Sequence, residues 1–125
     1  RIAKLVEEAN TAARLGGKRG MLAGEVDRFA RDVIEAAGFG EYFTHRTGHG
    51  LGMEAQEPPY IFDANSLVLE PGMVFTIEPG IYLPGKYGVR IEDDVVVEEQ
   101  GLRSLTDLPR SVMPIDEFLA AAKVR

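Results

Sequence analysis

The sequence predicts an α+β fold in which two N-terminal helices pack on one face of a curved, mainly antiparallel sheet and a short helix closes the chain. Three observations predict it. Apolar residues recur at helical steps only before Gly38, glycine, proline and β-branched residues dominate after it, and helical spacing returns behind Pro114. In the first segment, Ile2, Leu5, Val6, Ala9, Ala12 and Ala13 fall three or four residues apart with no proline among them, giving an amphipathic helix over Ile2–Leu15. Gly16 and Gly17 end it. A basic connector, Lys18-Arg19-Gly20, leads to a second helix over Gly24–Ala37, with Val26, Phe29, Ala30, Val33 and Ile34 on one face and Gly38 as its stop. Beyond it, Met73–Glu78 is a strand ended by Pro79-Gly80. Gly88–Glu98 is a longer strand that turns at Gln100-Gly101 into a short partner over Leu102–Thr106, as an antiparallel hairpin. Pro114–Ala122 forms the last helix, with Ile115, Phe118 and Leu119 on one side.

Bulk properties bound the function. The 125 residues, 45% of them hydrophobic, suffice for one ordinary core. A net charge of -6 is the wrong sign for a phosphate-binding face, so nucleic acid is not expected as a partner. No apolar run approaches the roughly 18 residues a membrane span needs, and no membrane association is expected. The absence of cysteine removes disulfides and thiolate metal sites and fits a cytoplasmic location. The chain opens at Arg1 rather than methionine, which is the expectation for a piece of a longer protein.

The two histidines lie in His45-Arg46-Thr47-Gly48-His49-Gly50-Leu51-Gly52. Three glycines there disfavour a helix, whereas an extended segment would put His45, Thr47, His49 and Leu51 on one face and the glycines on the other. The segment is then either a pair of presented imidazoles or a loop with solvated histidines. Glu78 interrupts an apolar strand, where a carboxylate needs a cation or a turn into solvent. Alternation along Gly88–Val95 puts Arg90, Glu92 and Asp94 on one face, as a surface ion pair or as part of a site. One imidazole and two carboxylates from three segments would make a donor set suited to manganese, cobalt, zinc or iron. Such a set supports metal-assisted hydrolysis.

These segments, with Thr76-Ile77-Glu78-Pro79-Gly80 and Val89-Arg90-Ile91-Glu92-Asp93 in the same order and approximate spacing, resemble the pita-bread (creatinase/aminopeptidase) metallopeptidases. The Val-Arg-Ile-Glu-Asp-Asp form resembles the Xaa-Pro dipeptidase (prolidase) and aminopeptidase P branch. The resemblance runs from about residue 2 through Leu105-Thr106 and Pro109-Arg110. It implies two divalent ions (manganese, cobalt or zinc), a bridging hydroxide and a peptide substrate with proline after the scissile bond. It also implies His49, Glu78 and Glu92 as metal ligands, Glu78 as the proton shuttle, and His45 and Arg90 as residues that contact substrate or support catalysis.

The sequence departs from the family in two places. The two ligand aspartates of the family lie upstream of the first helix, so residues 1–125 are expected to be the C-terminal half of the catalytic domain, inactive in isolation and holding metal weakly or not at all. Gln56 stands where these peptidases usually carry a histidine; it can donate a hydrogen bond to bound substrate but cannot become cationic. A lone half is expected to expose sheet and to form a homodimer. Two other functions use the same fold: a non-catalytic module that binds peptides or proteins, and a creatinase-like hydrolase that needs no metal.

Overall fold

The computed structural model describes residues 1–123, with side chains through residue 120. Helices α1 (Ile2–Gly16) and α2 (Ala23–Ala36) are followed by a 3-10 turn, Gly40–Tyr42, and seven strands: β1 (Gly48–Gly50), β2 (Glu57–Ile61), β3 (Val74–Ile77), β4 (Gly80–Leu83), β5 (Tyr87–Arg90), β6 (Asp93–Glu98) and β7 (Gly101–Ser104). Helix α3 (Ile115–Lys123) is last. An antiparallel sheet runs β2-β1-β3-β6-β7, and β4 and β5 form a separate two-stranded ribbon. The α+β arrangement is the one the sequence predicts.

The helices form where the apolar stripes are. Helix α1 buries Ile2, Val6, Ala9 and Ala13, and α2 buries Ala23, Val26, Ala30 and Ile34, against Ile61, Phe75, Ile77, Ile81, Val95 and Val97 from the strands. Leu5, Phe29 and Val33 flank this core, partly buried. Alanines at the helix contact keep the helix axes close enough for both to reach the sheet, α1 beside β3, β7 and the ribbon and α2 beside β2. Helix α2 starts cleanly because the Glu25 carboxylate accepts the Leu22 N–H at 2.8 Å, a Glu at the third helical position satisfying a free donor.

The structure departs from expectation at several points. The predicted strand Gly88–Glu98 is two strands, β5 and β6, separated at Ile91-Glu92, because β5 belongs to the ribbon and β6 to the main sheet. Strand β3 ends at Ile77, before Pro79 as expected, but Gly80 at once opens a further strand, β4, paired with Arg90. Strand β2, for which the sequence gives no separate expectation, contains Pro58 and Pro59 and is tolerated at the sheet edge where an absent N–H costs no ladder bond. On α3, among residues 115–120, only Phe118 is half-buried, while Ile115 and Leu119 are exposed. The β6–β7 hairpin forms as expected, with Glu98 opposite Gly101 and Val95 opposite Ser104.

Candidate metal centre

The register of β3 against β6 does most of the work of assembling the site. Thr76 lies opposite Asp94 and Ile77 opposite Asp93, so Glu78 and Glu92 are the residues just past the last rung, near enough for their charges to interact. The third segment arrives through β1, which lies between β2 and β3. Its glycines allow the approach: a Cβ on Gly48 would stand 1.7 Å from the Thr76 carbonyl oxygen, and one on Gly50 2.2 Å from that of Pro58. The His49 N–H donates to Thr76 Oγ1 at 3.0 Å, and the Glu78 N–H donates to the Thr47 carbonyl at 2.7 Å.

His49 Nε2 and Glu78 Oε2 end 3.3 Å apart, both mostly buried, in an open cavity of about 480 Å³ that His45, Gln56, Phe62 and Arg90 also line. His49 Nδ1 lies 2.9 Å from the Gly50 carbonyl oxygen, an acceptor, and the tautomer with its proton on Nδ1 satisfies that carbonyl and offers Nε2 to a cation. That is the tautomer a metal ligand needs. His45 differs: Nδ1 is 2.6 Å from the Arg46 carbonyl oxygen and Nε2 is 2.9 Å from the Tyr82 hydroxyl, so both nitrogens are engaged and the ring serves as cavity wall. Gln56 Oε1 accepts from Arg46 Nη2 at 2.9 Å, which turns its amide N–H groups away from Arg46.

Arg90 pairs with Glu78 at 3.9 Å, although strand alternation places it beside Glu92. Glu92 lies at the rim, facing a neighbouring cleft with Arg90, Asp93 and Arg110. Burial, then the charges of Glu78 and Asp94, hold its carboxyl above the usual range, with Arg90 and His49 opposing. Asp94 is shifted the same way by burial, Asp93 and Glu78. The donor chemistry fits a cation: the Glu78 charge acts on both Glu92 and Asp94, and a divalent ion beside Glu78 and His49 would relieve that repulsion. Among the described residues no three such side chains close around one point.

The raised carboxyl of Glu92 has a measurable consequence. The folded state holds this proton more tightly than the unfolded chain, so ionisation disfavours the fold; the penalty is absent at low pH and grows as pH rises from the unfolded to the folded pKa. Glu92→Gln is expected to raise the melting temperature of the chelator-treated protein at about pH 7, with the gain vanishing toward about pH 4. A lower melting temperature for the variant at the higher pH would contradict the electrostatic account.

Two residues were not visible as site components. Thr47 was expected to share a face with the histidines, but its hydroxyl turns to α2 and donates to Asp27 at 2.7 Å. Asp27, fully buried, also accepts from Arg31 Nε at 2.8 Å and Nη2 at 3.0 Å, and Arg31 donates on to the Phe43 and His45 carbonyls. This network fixes the whole His45–His49 segment. A hint was present in Asp27 and Arg31, four apart on a helix otherwise apolar on that side.

Known peptidases resemble this chain in sequence and fold. The model of metallopeptidase family M24 matches residues 1–99. The chain is 49% identical over 111 residues to a probable dipeptidase PepE of Mycobacterium tuberculosis, covering 89% of this chain and 30% of that one. It is 52% identical over 110 residues to an Xaa-Pro dipeptidase of Lactobacillus helveticus, covering 86% and 30%. The crystal structure of a dipeptidase from Pyrococcus horikoshii superposes with a TM-score of 0.87 at 51% identity, covering 89% of this chain and 31% of that one. The chain thus spans about 30% of the length of the curated relatives it matches, and its α+β architecture is that of part of the pita-bread fold. No helix among the described residues is long and apolar enough to cross a membrane. With the family model matched over residues 1–99 of its 125, the chain belongs to metallopeptidase family M24.

Proposed function

We propose that this chain is the C-terminal half of a pita-bread catalytic domain and that the complete polypeptide hydrolyses Xaa-Pro peptide bonds with two divalent ions, manganese, cobalt or zinc. The observation that carries the reading is His49 Nε2 3.3 Å from the Glu78 carboxylate in an open cavity, with Nδ1 held by the Gly50 carbonyl and Glu92 close enough for its charge to act on Glu78. His49, Glu78 and Glu92 would hold the ions, together with carboxylates from outside this chain. When bound, such ions acidify a water and polarise the scissile carbonyl. The Glu78 carboxylate, paired with Arg90, accepts the proton of the attacking water and returns it to the leaving nitrogen. The Gln56 amide, held by Arg46, donates a hydrogen bond to the carbonyl oxygen as it gains charge. His45, braced by Tyr82, and Phe62 form the wall against which a proline ring packs.

The similarity to a protein named Xaa-Pro dipeptidase supports the substrate class. The test is hydrolysis of an Xaa-Pro dipeptide by the complete polypeptide, abolished by chelation and restored by manganese. Turnover that survives both chelation and His49→Ala would refute it and would favour the metal-free, creatinase-like reading. Gln56 in place of a histidine favours a second reading, a peptide-binding module without turnover, for which the polypeptide would bind the dipeptide and release it intact.

We also propose a cytoplasmic location and self-association of the isolated chain. Exposed Val112, Ile115 and Leu119 near the C-terminus support self-association. A monomeric mass in sedimentation across a hundredfold range of concentration, about 1–100 µM, would exclude it.

A further inference from the structure

Asn10 is the only asparagine on α1 and it lies on the face that packs against the sheet, fully buried among Val6, Ala9 and Ala13. A buried amide in such company is costly unless every polar atom is met. The structure meets them in a particular way. Nδ2 donates to the Ile77 carbonyl at 3.4 Å and to the Ile91 carbonyl at 3.2 Å, and Oδ1 accepts from Arg14 Nε at 2.7 Å. The Arg14 bond fixes which end of the amide faces the strands, so both N–H groups point at carbonyls.

Those two carbonyls belong to the residues immediately before Glu78 and Glu92. They also mark where the β3–β6 ladder stops at Ile77 opposite Asp93 and the β4–β5 ribbon diverges. Between that rung and the Gly80–Arg90 rung that opens the ribbon, Glu78-Pro79 and Ile91-Glu92 lie outside both ladders, and the Ile91 N–H to Pro79 carbonyl bond, 3.3 Å, spans the gap. One side-chain amide therefore bridges the two backbones beside the last rung, just past which both glutamates lie. We propose that Asn10 is a positioning residue for the metal centre, a clamp that sets the separation and direction of Glu78 and Glu92 so that metal affinity depends on a residue that contacts no metal. The inference rests on the proposed role of those two glutamates as ligands.

Residues that orient a metal's direct ligands typically contribute about 10–100-fold in affinity, and the test is calorimetric titration of the complete, chelator-treated polypeptide with manganese. Asn10→Ala is expected to weaken binding by about that factor. Val6→Ala, which also opens a cavity on α1 but touches neither carbonyl, is expected to lower the melting temperature and leave the affinity within about twofold. Equal affinity of Asn10→Ala and the parent, or an equal loss in Val6→Ala, would overturn the clamp while leaving the ligand assignment standing. Manganese binding by the parent that is unaffected by His49→Ala, Glu78→Gln and Glu92→Gln would overturn the ligand assignment itself, and the clamp with it. If Asn10→Ala does not fold, the parent protein answers by NMR. Titration with diamagnetic zinc is expected to shift the Asn10 side-chain amide resonances in step with binding, and unmoved resonances at saturation would overturn the proposal.

Discussion

Asp27→Ala is expected to destabilise the fold by roughly 3–5 kcal/mol, the cost of removing one partner of a buried ion pair. The carboxylate is fully buried, and it receives four donors: two from Arg31 and the N–H and hydroxyl of Thr47. Its loss leaves a guanidinium, stacked 4.0 Å from the Phe43 ring centroid, with no counter-charge, and leaves a buried hydroxyl without its acceptor. Against a typical total of about 5–15 kcal/mol, such a loss brings the domain close to unfolding. Asp32→Ala, which breaks an exposed pair with Arg28 on the same helix, is expected to change stability by about 0.5 kcal/mol or less. Urea unfolding of the two variants checks the contrast, and a cost for Asp27→Ala below about 1 kcal/mol would mean that the His45–His49 segment is held by something else.

The second large effect is on catalysis. Glu78→Gln in the complete polypeptide is expected to lower kcat for an Xaa-Pro dipeptide by about 10²–10⁴-fold, the usual contribution of a positioned acid–base group. Loss of a metal-binding oxygen acts in the same direction. The fold should not suffer. Glutamine keeps the volume, and removing one charge from a cluster containing Glu92 and Asp94 relieves repulsion. A normal melting temperature with collapsed turnover is thus the expected combination. A kcat within about threefold of the parent, measured at saturating manganese, would remove Glu78 from the chemistry.

How far the sequence discloses such a site depends on whether the controlling interaction is local. Helices α1 and α2 were legible because their stripes repeat every turn. The proximity of Glu78 and Glu92 was partly legible: alternation grouped Arg90, Glu92 and Asp94, and the order of the three motifs matched a metallopeptidase. The separation of β5 from β6 was not, since nothing near Ile91-Glu92 signals that one half of an apparently continuous strand joins a different sheet. Strand β2 was not predicted, because the tolerance of its prolines depends on where the strand lies in the sheet. Asn10 and Asp27 were hidden more deeply. Each is a polar residue on a buried helix face, and the partners that justify it are 67 and 81 residues away for Asn10 and 20 away for Asp27. A pattern of apolar spacing counts such positions as gaps, although here they hold the site together.

Soaking crystals of the complete polypeptide in manganese and recording anomalous diffraction tests the metal centre most directly. A strong peak within about 2.0–2.3 Å of His49 Nε2 and of oxygens from Glu78 and Glu92 is the predicted result. A saturated crystal with no peak at these three side chains, or with manganese bound only elsewhere, would contradict it.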